Sequence, residues 1–587
     1  MVIEIDSKYE EKKATIVGIM PRLPEHSKQS VFGKVRMFSI GLDSVLSQIE
    51  GHDVYIVDEN NYKGPIDADG LPDYYELGNR RHAIISMIYG GMSILAPRLY
   101  SIAKENQKRG IVTVAGGKHV ENMPLEALAS GVDIVVHGEG EKAAQEISSA
   151  IIRYGKVVEG YKKNLEQILG ISFLREDGEY RFTGEREPMT VEELDGLKDP
   201  NMKLIKYMNK KWTTIPVTWG RGCNYACEFC TVNGKHRAGG AEKVIRQIDA
   251  SIKLGYHNFF ITDDHVAQNS DKAIEMFTAL GDYIKKTKKK ISVIVQSRTE
   301  LAENEELKKA MKYGGVNTIC IGYESPIDEE LRAMHKGITV KKMVERSREL
   351  SKDFYIHGMF IFGYPTFKDS EYKSNLTLEE RAKRYEQFFR DAKITTVQVF
   401  KAIPLVGSEL RKRLDKEGRL IPLDKVGWDK YDGAFLPYDP TPEGINAHEL
   451  QDIPIKLMER RYSGNALGKI LNYGRWIDWT ANTLGFPVTF GSSYVKNFVR
   501  NLNEKKRVFK GKFMTGKDVF YEPLQKTWKV FKKNWRTTFF NTMGGGIIRK
   551  WKSIYRKGDY KPLLSRMYQR KEEQDKRTIT KDYIALK

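Results

Sequence analysis

Short, continuous apolar runs recur along this chain, and nearly every one ends in Gly, Asp or Glu. ATIVGIM (14–20), DVYIVDE (53–59), AIISMIYGG (83–91), IVTVAGG (111–117) and DIVVHGEGE (133–141) read as strands, and SVLSQIEG (44–51) reads as the end of a helix. Apolar strands separated by helices are buried on both faces, which predicts a parallel sheet with helical cover. Ligands of such sheets lie beyond the carboxyl ends of the strands. Gly90–Gly91, Gly116–Gly117, Gly138 and Gly140 fall at those ends. Residues 1–150 therefore predict a doubly wound, Rossmann-like domain that holds a nucleotide or cofactor.

Residues 151–210 read as a connector containing a hairpin-like ISFLREDGEYRFTG, with Asp177–Gly178 as its turn. From 211 the alternation resumes with a longer period. TTIPVTWG (213–220), NFFITDD (258–264), ISVIVQS (291–297), VNTICIGYE (316–324), YIHGMFIFG (355–363) and TTVQVFKAI (395–403) are six strands with amphipathic stretches between them. Six βα units in series predict a partial parallel barrel over 211–410, with functional residues at the strands' C-terminal ends. The fold class is α/β, and residues 411–587 read as mostly helical. A chain of 587 residues exceeds what one hydrophobic core supports. No apolar run approaches the roughly 18 residues that span a bilayer, and the polar, acidic start is not a secretory signal. A cytoplasmic location is expected.

Only four cysteines occur, and three of them lie within eight residues. A disulfide framework would spread an even set along a short secreted chain, so this clustering points to metal ligation. The run Arg221-Gly-Cys223-Asn-Tyr-Ala-Cys227-Glu-Phe-Cys230 follows the first strand of the second set. Three thiolates are one short of the four that close an iron–sulfur cluster or a structural zinc site, so one metal position stays open. A zinc site completed by His236 is the alternative, and the spacing and barrel context weigh against it. Cys320, within a strand among Ile319 and Ile321, reads as a buried core thiol.

The spacing Cys-x3-Cys-x2-Cys with Phe229 before the last cysteine resembles the radical S-adenosylmethionine (SAM) superfamily, and the resemblance runs through residues 211–410. It implies a [4Fe–4S] cluster on Cys223, Cys227 and Cys230 whose open iron binds SAM. Reductive cleavage would then yield methionine and a 5′-deoxyadenosyl radical. By the same resemblance Phe229, Asp263, Asp264, Ser297, Arg298, Glu324 and Gly363 contact SAM, and an electron donor of ferredoxin or flavodoxin type is required. On residue chemistry alone, Asp263 and Asp264 equally suit a helix N-cap, and Arg298 suits a plain ion pair.

An N-terminal sheet joined to this barrel, with VAGGKHVENMPLEAL, DIVVHGEGE, DDHVAQN and GYESPIDEELRAMHKG, resembles the cobalamin-binding radical SAM subfamily over about residues 10–450. The resemblance implies cobalamin held by Ser86, Tyr89, Gly90, Gly116, Gly117, Gly138, Glu139 and Gly140. The Asp-x-His-x-x-Gly motif that supplies a cobalt-ligating histidine elsewhere is absent, and His119 and His137 read as structural. The implied activity is C-methylation of an unactivated carbon on a hydrophobic, lipid or isoprenoid substrate. Radical cyclisation or other C–C bond formation on a lipid or tetrapyrrole, without methyl transfer, is the alternative. A methylthiotransferase of RNA would need three further N-terminal cysteines, and residues 1–222 contain none.

The charge is uneven. Residues 501–587 carry 24 Lys and Arg against 8 Asp and Glu, a net of +16 out of +20 for the chain. Trp476, Trp479, Trp528, Trp535, Trp551 and Phe539–Phe540 are interleaved with this charge. Cations with aromatics suit an anionic membrane surface. Nucleic acid is a less favoured partner, and a helical cap with a solvated basic face is the plain alternative.

Overall fold

The computed structural model describes residues 13–463, apart from 29–35, 68–70, 75–82, 154, 233 and 367–373. The basic, aromatic segment beyond 463 lies outside the described residues.

The first sheet forms from the expected runs: β1 (Thr15–Met20), β2 (Asp53–Asp58), β3 (Ala83–Tyr89), β4 (Val112–Gly116) and β5 (Ile134–Val136). A minor hairpin, β6 (Ile152–Arg153) with β7 (Lys156–Val157), stands apart. The DG hairpin folds as β8 (Ile171–Leu174) and β9 (Tyr180–Phe182), and it joins the first sheet along the edge of β5. The sheet order is β2-β1-β3-β4-β5-β8-β9, with the first five strands parallel and the last two antiparallel. The chain order reverses between β1 and β3, where a doubly wound sheet opens a crevice at its carboxyl edge. Ile16, Ile85, Ala115 and Val135 are all fully buried, as strands covered on both faces must be.

The second sheet contains β10 (Ile215–Val217), β11 (Asn258–Ile261), β12 (Ser292–Ser297), β13 (Val316–Glu324), β14 (Tyr355–Phe362) and β15 (Thr396–Lys401). They pair in strict chain order and all in parallel. Burial alternates along the strands. Ile319, Ile321, Ile356 and Phe360 are buried, while Cys320, Gly322, His357 and Met359 between them are only half-buried. Phe360 packs on Phe388 and Phe389 of the helix Leu378–Asp391, so the buried set faces the helices and the half-buried set faces the concave side. Cys320 thus differs from the core thiol expected, because strand parity turns it away from Ile319 and Ile321. The helices begin where local chemistry caps them: Asn269, Asn304, Thr339 and Thr377 each accept from a backbone N–H in the first turn. Helix Ala447–Ser463 packs on β15, with Met458 Sδ accepting from Val399 N at 3.4 Å.

Glu330 is completely buried between these helices, and its carboxylate is met by Arg381, Ser325 Oγ and Tyr385 OH. Removing one member of a buried pair strands the other. Arg381→Met is expected to cost about 3–5 kcal/mol, read as a lowered thermal midpoint, with a smaller loss for Arg381→Lys.

Candidate active site

β10 runs into a loop that folds back on itself. Cys223 N donates to Gly234 O at 3.0 Å, Arg221 and Arg237 pair backbone to backbone, and Cys230 N donates to Cys227 O at 3.0 Å. Gly222 permits the bend: its φ is +88°, and a Cβ there would stand 2.5 Å from Lys235 O. All three thiols are half-buried and near enough to act on one another electrostatically. Burial pushes the Cys230 thiol up to about 11. Burial likewise raises Cys227, against the opposing pull of Lys336 and Arg298. Thiols in this state become ligands when a cation arrives to deprotonate them.

Among the described residues no three His, Cys, Asp or Glu side chains converge as a single metal ion requires. A mononuclear zinc needs its donors about 2.0–2.3 Å from one point, whereas a cluster gives each thiolate its own iron. His236 is not a fourth ligand through Nε2. That atom lies 3.1 Å from Asp263 Oδ2, with both side chains almost wholly buried. The donor set therefore fits a cluster better than zinc.

Asp263 also accepts from Gly220 N through Oδ1 at 2.9 Å, so it ties the returning cysteine loop to the end of β11. Its carboxylate is committed within the protein. Ser297 Oγ bonds Arg298 O at 3.1 Å and lies 3.3 Å from His265 Nδ1. The Arg298 guanidinium lies 4.0 Å from the Tyr225 ring centre and donates to Glu300 and to Lys336 O, while its buried Nη1 has no partner. Glu324 ends β13 at an irregularity, with φ +63°, and its Oε1 takes Lys336 Nζ at 2.9 Å. Phe229 sits between Lys336, 6.0 Å away, and Tyr364, edge-on at 6.4 Å. Gly363 has φ +70°, and its carbonyl accepts from Tyr438 OH at 2.5 Å.

Residues that sequence reasoning passed over complete this end. Glu228, inside the cysteine run, is buried and takes Arg413 through both oxygens, at 2.5 and 3.0 Å, together with Tyr364 OH. Lys336 was legible only as part of MHKG. For Glu228 the available signal was a charged residue set between a cysteine and an aromatic.

A cleft of about 370 Å³ opens at the carboxyl edge of the first sheet. Tyr89, Gly116, Gly117, Gly138, Glu139 and Gly140 line it, as do Gly220, Arg221 and Gly222 from the cysteine loop. Gly117, with φ +115°, must be glycine for the loops to pack, since a Cβ would stand 2.6 Å from Gly91 N. Ser86 and Gly90 do not line the cleft. Ser86 is buried within β3, and a Cβ on Gly90 would meet Val120 at 2.7 Å, so that glycine serves packing. His119 lies buried between Tyr100 OH and Ser93 Oγ, at 3.1 and 3.0 Å, and burial and then Arg411 lower its pKa to about 3. His137 Nε2 lies 2.9 Å from Ser172 Oγ.

Glu139, Glu141 and Arg221 on the cleft wall hold one another. Arg221 contacts both glutamates, and Arg237 Nη2 reaches Glu139 at 2.9 Å. Burial raises the Glu139 pKa, but Arg237, Met189 N and Arg221 outweigh it and hold that carboxyl below its ordinary value. Asp264 lines the same cleft, and burial of its carboxyl and then Asp263 raise its pKa to about 6.

Residues 217–378 match the Radical SAM superfamily. A protein described as an uncharacterized methyltransferase of Pyrococcus horikoshii is 28% identical over 346 residues, 57% of this chain and 69% of that one. A hopanoid C-2 methylase of Rhodopseudomonas palustris is 25% identical over 220 residues, 36% of this chain and 40% of that one. Among solved structures, the radical SAM methyltransferase TsrM of Kitasatospora setae superposes with a TM-score of 0.53 at 14% identity, covering 70% of this chain and 78% of that one. The cobalamin-dependent radical SAM enzyme OxsB, solved with aqua-cobalamin, gives 0.55 at 13% identity over 92% and 84%. Residues 217–378 thus form a radical SAM domain, and the chain shares its fold with TsrM and OxsB.

The role of His236 is directly testable. His236→Ala is expected to keep the wild-type iron content, whereas Cys227→Ala abolishes it, as read by metal analysis of anaerobically prepared protein. The raised Asp264 pKa carries a second expectation. Between about pH 4 and about 6 the folded protein keeps a proton that the unfolded chain releases, so stability falls as pH rises through that window. Asp264→Asn should raise the thermal midpoint relative to wild type above pH 6 and leave it unchanged below pH 4.

Proposed function

We propose that this chain is a cobalamin-dependent radical SAM methyltransferase that methylates an unactivated carbon of a lipid-like substrate. The observation that carries the reading is the shared wall of the two sites: Gly220, Arg221 and Gly222 line the glycine cleft immediately before Cys223. Two cofactors held there would face one reaction space.

Cys223, Cys227 and Cys230 would hold the cluster. Arg298, through its unpartnered Nη1, is the donor offered to the carboxylate of SAM, with Phe229, Ser297, Glu324 and Gly363 shaping the same end. Asp264 faces the cleft and Asp263 supports the loop. Tyr89, Gly116, Gly117, Gly138, Glu139 and Gly140 would form the cobalamin face, where bare glycine backbone admits a flat, bulky group. When bound, the cluster supplies the electron that splits SAM into methionine and a 5′-deoxyadenosyl radical, and cobalamin supplies the methyl carrier. The protein's task is to orient both groups and to exclude water, which the apolar walls of Val45, Met87, Val114 and Val136 serve.

In this reading residues 211–410 form a partial (βα)6 barrel, 1–150 the cobalamin domain with the hairpin Ile171–Phe182 added to its sheet, and 411–587 a mostly helical, basic and aromatic C-terminal region. A small low-potential protein of ferredoxin or flavodoxin type supplies the electron. Among the described residues no helix is long and apolar enough to cross a membrane. The basic, aromatic C-terminal segment is the part proposed to meet an anionic membrane surface. The methyltransferase relatives and the hopanoid methylase support a methylated, lipid-like product over ring formation.

The test is anaerobic purification with cobalamin supplied, followed by iron, sulfide and cobalt analysis and a visible spectrum. About four iron and one cobalt per chain are expected. Cys227→Ala should lose the iron and keep the cobalt. Iron without cobalt in the wild type would remove the cobalamin mechanism, and protein lacking iron would remove the whole reading.

A further inference from the structure

Both aromatic rings of the cysteine run lie against a cation. Arg298 Cζ is 4.0 Å from the centre of the Tyr225 ring, and Lys336 Nζ is 6.0 Å from the centre of Phe229. The two cations are joined, since Arg298 Nη2 donates to Lys336 O at 2.6 Å. Lys336 is buried, with 7% of its side chain exposed, and its ammonium pairs with Glu324 at 2.9 Å. A buried pair of this kind is a costly way to join two elements, because hydrophobic residues of similar volume often serve as well. Its position gives it another use. Phe229 stands between Cys227 and Cys230 in the chain, and Glu228 N donates to Met334 O at 3.1 Å, two residues before Lys336. The pair therefore sets its ammonium against the cysteine run.

We infer that Lys336 is a positioning residue for the cluster's charge: it holds a buried cation against the ring of Phe229, between Cys227 and Cys230 in the chain, so that the electron delivered by the protein reductant is stabilised on the bound cluster. The inference rests on the proposed function. Positive charge in a poorly screened site favours the more negative, reduced form, and net charge around a cluster is one determinant of its potential. Glu324, the negative half of the pair, opposes this effect.

The experiment uses the full chain with its cluster reconstituted and no SAM added. It compares wild type, Lys336→Met, Lys336→Arg and Glu324→Gln by iron analysis and by a redox titration followed by electron paramagnetic resonance. Lys336→Met should move the midpoint to a more negative potential, Lys336→Arg should leave it near wild type, and Glu324→Gln should move it to a more positive one. Opposite shifts from the two halves of one ion pair are a signature that mere loosening of the fold does not produce. A Lys336→Met protein with full iron and the wild-type midpoint overturns the inference, as do shifts of the same sign in Lys336→Met and Glu324→Gln. If Lys336→Met fails to retain iron, Glu324→Gln decides, and a midpoint at or below wild type overturns the inference. Wild-type protein without iron would instead remove the cluster reading itself.

Discussion

Two arginines of the cysteine loop, Arg221 and Arg237, close on Glu139 and Glu141 at the start of the last helix of the first sheet's crossovers. This cluster joins the carboxyl edge of one parallel sheet to the loop after the first strand of the other. Ser44 Oγ bonds Glu141 at 2.9 Å, and Met189 N bonds Glu139 at 2.7 Å, so residues far apart in sequence share the same two carboxylates. Partly buried ion pairs satisfied on every side resist rearrangement, because breaking one contact leaves a charge without a partner. The cleft and the three thiols hold their relation to each other through it.

Within the second sheet the same logic operates at smaller scale. Asp263 fastens the loop through Gly220 N and His236, Glu228 fastens it through Arg413 and Tyr364, and Arg298 and Lys336 press on its two aromatic rings. The anchors come from the ends of β11, β12 and β14, from the helical segment after β13 and from the region after β15. A loop rich in thiols and short of regular structure is thereby held from several directions, as a cofactor site needs for preorganisation.

The strands were legible because each is a short apolar run bounded by a turn residue, and burial on both faces leaves that pattern little ambiguity. The glycine positions were less so. Gly117 and Gly90 look alike in sequence, yet one lines the cleft and the other packs on Val120. Ser86 lies on a strand near the right edge but inside it. Asp263 and Asp264 are adjacent beyond the end of β11, yet one pairs with His236 and the other lines the cleft.

The sequence by itself determined the two parallel sheets and the three-thiol run, since both are local: a period, a spacing and a turn residue are each complete within a few positions. It also placed the hairpin Ile171–Phe182, though not the sheet it would join. Only the tertiary structure decided that His236 belongs to Asp263, that Lys336 belongs beside Phe229, and that the glycine cleft shares a wall with the cysteine loop. Those are contacts between charges and rings tens to hundreds of residues apart, and their partners are chosen by packing and by the cost of leaving a buried charge unpaired.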